Sequence, residues 1–273
     1  RKLEALRVAA HAMRVSNALS DDMDTLRTSL LASLIDVVAL NRDRGRDHVC
    51  VYEVAPVFLA RIGEKDSQPE EPLRLAAVAT AGSTADSGRV AFYRLKSVLD
   101  ACVGGLSAPS LTYQRGAAEL FHPGRCAAVT LDGRQLGYLG ELHPTVISSV
   151  KLEGRLVAFE IDVEPVLSTS RLPKAQPLPR FPAVERDLAV VVEEHVAAGT
   201  LLASINEAAG ELLETARAFD EYHGAQVPEG HKSIAFTLTF RSPERTLTDA
   251  EVEKVMGEIK PTLEKRHQAR FRT

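Results

Sequence analysis

Four side chains in the last third of the chain have types and spacing that suit recognition of an RNA base. Ala189, Asp220, Tyr222 and Ser233 fall on three predicted strands, on the face that apolar alternation leaves open. A tyrosine ring can stack on a base, a carboxylate can accept from the N1–H and N2–H donors of guanine, and small residues permit close approach. The pattern therefore favours a purine-rich target. The alternative is a solvated sheet face that carries an incidental tyrosine.

The predicted strand over 232–241 shows the alternation on which this face depends. Its even positions from Ile234 to Phe240 are large and apolar, which predicts a core under helices. The residues between them, Ser233, Ala235, Thr237 and Thr239, form a small hydroxyl-bearing face that is not expected to be buried. Several RNA-binding modules present bases with such a half-open sheet. On the preceding strand, Asp220 and Tyr222 share the open face, and Phe219 is expected on the opposite one.

The elements around these strands predict a ferredoxin-like βαββαβ domain. Thr248 followed by Glu251 has the spacing of a capping box, Gly210 is expected to end a helix, and Pro261 predicts a kink or an early end in the last helix. The predicted strands cover 188–193, 212–222, 232–241 and 269–271, and the first helix covers 200–209.

The N-terminal part reads as one antiparallel-rich α/β domain. Asp24 and Thr25 are expected to cap a helix that runs to about Asn41, Pro56 marks a sheet edge or bend, and Asp132-Gly133 predicts a tight hairpin. The other predicted strands cover 49–59, 73–80, 111–114, 127–131, 135–139 and 156–163, with helices over 90–103 and 144–150.

Length and composition predict two globular domains. The chain has 273 residues, of which 45% are hydrophobic and 26% are charged. Four prolines between 172 and 182 indicate a linker, which gives domains over 1–170 and 183–273 with a linker over 171–182. No apolar run approaches the ~20 residues of a membrane span. The absence of an initiator methionine and of a signal peptide predicts a piece of a longer cytoplasmic protein, and three widely spaced cysteines favour a reducing compartment.

Charge does not support non-specific RNA binding. The net charge is −4, and residues 179–273 hold 12 Lys+Arg against 16 Asp+Glu, so the predicted RNA-binding domain is the acidic one. Other sites have weak signals: His122, His143 and Glu141 lack a spaced further metal ligand, and the glycines form no phosphate loop. We therefore predict no catalytic residue and no metal ligand in this chain.

Two sets of ordered segments carry a resemblance to known modules: 181–189, 219–222, 227–233 and 240–248 in the C-terminal part, and 25–31, 52–54, 121–125 and 137–144 before it. The first set resembles the ferredoxin-fold anticodon-binding domain of the bacterial phenylalanine–tRNA ligase β subunit family. The second set resembles that family's catalytic-like module, which is a class II synthetase-like antiparallel sheet without chemistry. The resemblance covers nearly the whole chain and implies an α+β fold in both modules.

The resemblance also implies function. The family's enzyme is an α2β2 heterotetramer that uses ATP and Mg²⁺ to esterify tRNA(Phe), with its active site in the α subunit. It implies that this part of the β subunit is non-catalytic, supports assembly with the α subunit, and contacts the anticodon at Ala189, Asp220, Tyr222 and Ser233. Weaker candidates for RNA backbone contacts are Arg180, Arg186, Lys232 and Arg241. The alternative function is a protein-interaction module whose ferredoxin-like domain binds a partner subunit rather than RNA.

Overall fold

Apolar runs in the N-terminal unit form the central strands of an antiparallel six-stranded sheet. The computed structural model describes residues 12–19, 24–61, 68–82, 84, 86–173, 178–224 and 227–271, and the chain divides into two compact units, 1–174 and 175–273. In the first unit the sheet order is β1-β2-β6-β5-β4-β3. Its strands are β1 (Cys50–Pro56), β2 (Leu73–Ala81), β3 (Thr112–Arg115), β4 (Phe121–Leu131), β5 (Arg134–Leu142) and β6 (Arg155–Asp162).

Both faces of this sheet are covered in its centre, which explains why its central strands are apolar throughout. On β6, Leu156 and Ala158 join the core under one helix, whereas Val157 and Phe159 join the core under another. The first of these helices is α1 (Leu31–Asp43) and the second is α2 (Ser87–Gly105). Two short helices, α3 (Pro144–Ser149) and α4 (Glu164–Thr169), follow β5 and β6.

The predicted start of the first helix is wrong. Thr25 forms an isolated bridge with Arg14, and α1 begins only at Leu31. A carboxylate from the distant strand β6 satisfies the helix start instead: Glu160 accepts from the Leu30 amide at 2.6 Å and from the Ser29 hydroxyl at 2.8 Å. Burial raises the pKa of Glu160. This partner lies 130 residues away in sequence, so local capping signals could not reveal it.

The predicted turn chemistry is confirmed. The β4–β5 hairpin turns at Asp132 and Gly133, whose φ values of 48° and 80° are those of a type I′ turn. Pro56 is the last residue of β1, and β1 is an edge strand. An edge strand tolerates proline because the missing N–H does not interrupt the sheet.

The second unit has the predicted ferredoxin-like βαββαβ order. Its sheet order is β10-β7-β9-β8, and two helices cover one face. Leu188, Val190, Ile234 and Phe236 point into the core beneath these helices. The elements are β7 (Val184–Glu193), α5 (Ala198–Ala209), β8 (Leu213–Tyr222), β9 (His231–Phe240), α6 (Asp249–His267) and β10 (Arg270–Phe271).

The last helix begins as predicted but does not end early. The capping box is present at Thr248, whose amide donates to the Glu251 carboxylate at 2.9 Å. The helix then continues six residues beyond Pro261 to His267. Ile259 and Leu263 are fully buried on either side of the proline, so core packing outweighs a helix-interior penalty of about 3 kcal/mol.

No helix within the described parts of the chain combines the length and apolarity that crossing a bilayer requires.

Candidate nucleic-acid interface

The strand register places the four predicted base-contacting residues in two neighbouring rows on the helix-free face of the second sheet. Ala189 and Asp220 both lie opposite Ala235, while Tyr222 lies opposite Ser233. Strands are spaced by ~4.8 Å and alternate residues by ~7 Å, so the four positions fall within about 12 Å of one another. They are close enough to contact one nucleotide and its neighbour. We call this surface the open face.

Tyr222 is the exposed aromatic ring at the end of β8. Its exposed fraction is 41%, and its ring lies against the backbone of Gly224. A β-carbon at position 224 would lie 2.3 Å from the Tyr222 Oη and 2.5 Å from its Cζ. Only glycine leaves space for the ring in this position, so Gly224 positions the stacking surface.

The Asp220 carboxylate is exposed and available as an acceptor. Within the described ranges, no hydrogen-bond donor and no cationic side chain engages it. Guanine presents two donors on its Watson–Crick edge, and an ionised carboxylate can accept both. Asp220 therefore has the chemistry and the accessibility that guanine recognition requires.

Ser233 does not lie on an exposed surface as the strand pattern predicted. Only 5% of it is exposed, because Val191 and Tyr222 flank it in the same row. Ala189 and Ala235 in the neighbouring row are half-buried. Ser233 is thus buried beside Tyr222, and the small residues of the other row lie nearer the surface.

A β-bulge adds a second aromatic ring to the open face. The register shifts between Ala218, which pairs with Phe236, and Asp220, which pairs with Ala235. Ala218 faces the core, so Phe219 points to the open side and Asp220 does so as well. The expectation that Phe219 lies opposite Asp220 is therefore wrong. Phe219 is 52% exposed and offers a second surface for stacking.

Two arginines on the open face were missed. Arg217 lies opposite Thr237, and Arg270 of β10 lies opposite Val191. Both are exposed, and no carboxylate among the residues that the structure describes pairs with either. Simple alternation back from Asp220 would put Arg217 on the covered face, because it ignores the bulge. Arg270 belongs to a two-residue strand that has no periodicity to read.

The four arginine and lysine residues suggested as RNA backbone contacts lie at separate places in the second unit. Arg186 and Lys232 lie on the covered side, where Arg186 is 2.6 Å from Asp249 and Lys232 is 3.5 Å from Glu221. Arg241 is 2.9 Å from Glu214. Arg180 is exposed in the segment before β7. The structure does not bring these four cations together, and their contact with RNA stays a prediction.

Acidic groups outnumber basic ones on the open face. The carboxylates of Glu185, Asp187, Glu193 and Asp220 accompany the guanidinium groups of Arg217 and Arg270. The Thr237 hydroxyl donates to Asp187 at 2.8 Å, which occupies one of these carboxylates. RNA bound on this face would therefore be held by stacking and directed hydrogen bonds rather than by bulk positive charge.

The groups considered for a metal site in the first unit are engaged otherwise. The His122 and His143 rings stack at 6.4 Å, and the Glu141 carboxylate accepts hydrogen bonds from Arg125 and Arg155. Within the described ranges, no three His, Cys, Asp or Glu side chains cluster as metal ligands would. These residues do not fit a Mg²⁺ site.

Comparison with known proteins connects both units to one family. Residues 1–163 match the family model described as "Phenylalanyl tRNA synthetase beta chain CLM domain", and residues 179–272 match "Ferredoxin-fold anticodon binding domain". Similar proteins named "Phenylalanine--tRNA ligase beta subunit" occur in Moorella thermoacetica, 42% identical over 95% of this chain, and in Bacillus subtilis, 33% identical over 93%. The matches cover 33% and 32% of those proteins, so this chain spans about a third of their length.

Proposed function

Because this chain belongs to the phenylalanyl-tRNA synthetase β chain family, we propose that its open face binds the anticodon of tRNA(Phe). The observation that carries the proposal is the pairing of an exposed aromatic ring with a carboxylate that no group in the described ranges engages. Tyr222 and Asp220 lie two residues apart on the same face of β8. One supplies stacking and the other supplies hydrogen-bond acceptors.

Each residue of the face has a distinct part in this proposal. Tyr222 stacks on one base and Asp220 accepts from the Watson–Crick edge of a guanine, while Ala189 lets a base approach the sheet. Ser233 flanks Tyr222 on the neighbouring strand β9, where it is buried. Phe219 is placed to stack on the neighbouring base.

The family of this chain is the basis for proposing the reaction that the complete enzyme catalyses. We propose that the complete enzyme joins phenylalanine to tRNA(Phe) with ATP and Mg²⁺ in an α2β2 assembly in the cytoplasm, and that its catalytic residues lie in the α subunit. This chain contributes tRNA binding and assembly. The described residues present no cluster fit for Mg²⁺, so no step of the reaction is assigned to them.

A second proposed role is contact with the α subunit through the first unit. Tyr52 and Val54 are exposed on the edge strand β1, on the side of the sheet that α2 covers farther in. Val98 on α2 is also exposed. Exposing a strand edge and neighbouring apolar side chains to water is unfavourable, and a partner subunit can bury such a surface.

The two uses of the second unit, RNA binding and protein binding, are separated by crosslinking in the assembled enzyme with tRNA. A photoreactive phenylalanine analogue at position 222 is expected to crosslink to anticodon bases. The matched control position is Glu258, which is exposed on α6 on the covered side of the sheet and should not crosslink to the anticodon. Crosslinks from position 222 to protein alone would contradict anticodon binding and favour the protein-interaction function.

A further inference from the structure

A cavity of about 490 Å³ opens in the first unit between the start of α2 and the strands β3, β4 and β5. Cationic and aromatic side chains dominate its walls. Its volume lies within the range of small-molecule sites, which is roughly 300–1,000 Å³. The residues that matter here are Arg89, Phe92, Tyr93, Arg115, Arg125 and Glu141.

The floor of the cavity is a buried carboxylate held between two guanidinium groups. Glu141, whose side chain is 6% exposed, accepts from Arg155 at 2.7 and 2.9 Å and from Arg125 at 3.1 and 3.2 Å. Burial favours the neutral acid, but the hydrogen bonds and charges of Arg155 and Arg125 prevail and lower the pKa of Glu141. Two guanidinium groups therefore meet at one carboxylate on this floor.

The helix α2 is built to approach this floor closely. A β-carbon at Gly88 would lie 2.2 Å from the Arg155 Nη2 and 2.9 Å from the Glu141 Oε2. Glycine at this position therefore lets the first turn of α2 close directly over the carboxylate and its arginines. The backbone supports a preformed site rather than a gap between loosely packed elements.

The mouth of the cavity adds further positive charge. Arg115, at the end of β3, is exposed and has no acidic partner in the described parts of the chain. Arg89 lines the same opening and, among the residues that the structure describes, pairs with the exposed Asp86 at 3.5 Å. Four arginines and a single glutamate line the cavity, so an anionic ligand would be attracted.

Aromatic rings line the side of the cavity beside α2. Phe92 and Tyr93 meet edge to face with ring centroids 5.6 Å apart, and Tyr93 is exposed. Tyr113 on β3 is held in place, because its hydroxyl donates to Asp100 at 2.6 Å and the Lys96 Nζ lies 4.3 Å from its ring centroid. A flat ring system can therefore lie against fixed aromatic surface at one end while an anion meets guanidinium groups at the other.

We propose that this cavity binds a nucleotide, with its phosphate at Arg115 and Arg125 and its base against Phe92 and Tyr93. Arginine forks match phosphate oxygens in pairs, and aromatic faces accept bases of any sequence. The nucleotide is either a free mononucleotide or one unit of an RNA strand. This site lies in a different unit from the open face and does not depend on anticodon binding.

The test is a calorimetric titration of the 273-residue chain with AMP in the absence of Mg²⁺. We expect one saturable site. Arg115→Gln removes a charge-assisted contact but leaves the Glu141 pairs intact, so affinity should fall about tenfold or more. Tyr93→Ala should weaken binding by at least ~5-fold, the low end for loss of one stacked base. Adenosine and inorganic phosphate, which each lack one half of the ligand, should bind more weakly than AMP.

Two control variants make the outcome decisive. Arg134→Gln removes an exposed arginine in the β4–β5 hairpin, outside the cavity lining, and Tyr222→Ala changes only the open face. Both should bind AMP as the unmodified chain does. The proposal is overturned if AMP shows no saturation by ~10 mM, which is about ten times the Kd of ~1 mM of a weak specific site. It is equally overturned if either control loses as much affinity as Arg115→Gln.

Competition identifies the source of the nucleotide. A 5′-phosphorylated trinucleotide that displaces AMP at lower concentration than AMP itself would assign the site to an RNA strand. Displacement no better than that by AMP would assign it to a free mononucleotide. Either result requires that Arg115→Gln weakens the competitor as it weakens AMP.

Discussion

Replacing Tyr222 with alanine is the perturbation that separates stacking from other means of holding RNA. The ring is 41% exposed and lies in the same row as Ser233, so its removal deletes stacking surface with limited loss of core packing. Loss of one stacked base costs about 1–3 kcal/mol, which corresponds to a loss of about 5- to 150-fold in affinity. No charge is removed. The dependence of the binding constant on salt should therefore keep its slope.

The assay is a fluorescence titration of the chain with the anticodon stem–loop of tRNA(Phe) at fixed salt and temperature. Tyr222→Phe is the matched control, since it keeps the ring and removes only the hydroxyl, and its affinity should stay close to that of the unmodified chain. Thermal unfolding of each variant checks that the domain is intact. Equal affinity of the alanine variant and the unmodified chain would refute stacking by Tyr222. A phenylalanine variant as weak as the alanine variant would assign the effect to the hydroxyl instead.

Three further perturbations test neighbouring parts of the structure. Gly224→Ala should displace the Tyr222 ring and weaken stem–loop binding by about 0.5–1.5 kcal/mol, which is part of the Tyr222→Ala loss. The control Gly199→Ala, at a position with open space around it, should not weaken stem–loop binding. Equal affinities of the Gly224→Ala variant and the unmodified chain would contradict the positioning role of Gly224. Arg217→Gln should reduce the slope of the log binding constant against log salt concentration by about the amount that one phosphate contact contributes. Lys254→Gln on α6 is the control and should leave the slope unchanged. An unchanged slope for Arg217→Gln would show that Arg217 makes no phosphate contact. Glu141→Gln should lower the free energy of unfolding at neutral pH by ~2–3 kcal/mol, because it weakens a buried carboxylate's pairing with two arginines. The folded-state pKa of Glu141 lies below its ordinary value of 4.5, so the stabilisation by this carboxylate is present above that pH and lost as pH falls. In urea unfolding from pH 5 to pH 3, the free energy of unfolding should therefore drop less for the variant than for the unmodified chain. Equal drops for the two proteins would contradict the assignment.

The open face was predictable from the sequence because one strand alternates without interruption. On β9 each core residue from Ile234 to Phe240 is buried, which places the residues between them on the other side. Register then follows from the pairing of β9 with β7 and β8. Tyr222 and Asp220 could be assigned to one face because they lie on the same side of the bulge.

The bulge itself could not be predicted. It inserts Phe219 and reverses the assignment of the residues before it on β8 as far as the next register shift at Leu213/Thr215, including Arg217. Alternation has no signal for an extra residue until the pairing partner is known. The burial of Ser233 was missed for a related reason, since it depends on the neighbours Val191 and Tyr222 that strand pairing places on either side of it rather than on which face the serine occupies.

Long-range partners set the remaining limits on prediction. The start of α1 depends on Glu160, which reaches the Leu30 amide from another strand. The sequence suggested Arg186 and Lys232 as cations free to contact the RNA backbone, but tertiary packing pairs them with carboxylates on the covered side. Likewise, the Glu141 carboxylate of the cavity is paired with two arginines that lie 14 and 16 residues away along the chain.

The most direct test of the central claim is a double-mutant cycle between Asp220 and guanine. The chain with Asp220 or with Asp220→Asn is titrated with the anticodon stem–loop that carries either guanine or inosine, which lacks the N2 amino donor. A hydrogen bond to an ionised carboxylate predicts a coupling free energy of about 1.5–3 kcal/mol. In that case the inosine substitution weakens binding to the unmodified chain far more than binding to the variant. A coupling of zero, with both proteins equally indifferent to inosine, would contradict guanine recognition by the open face.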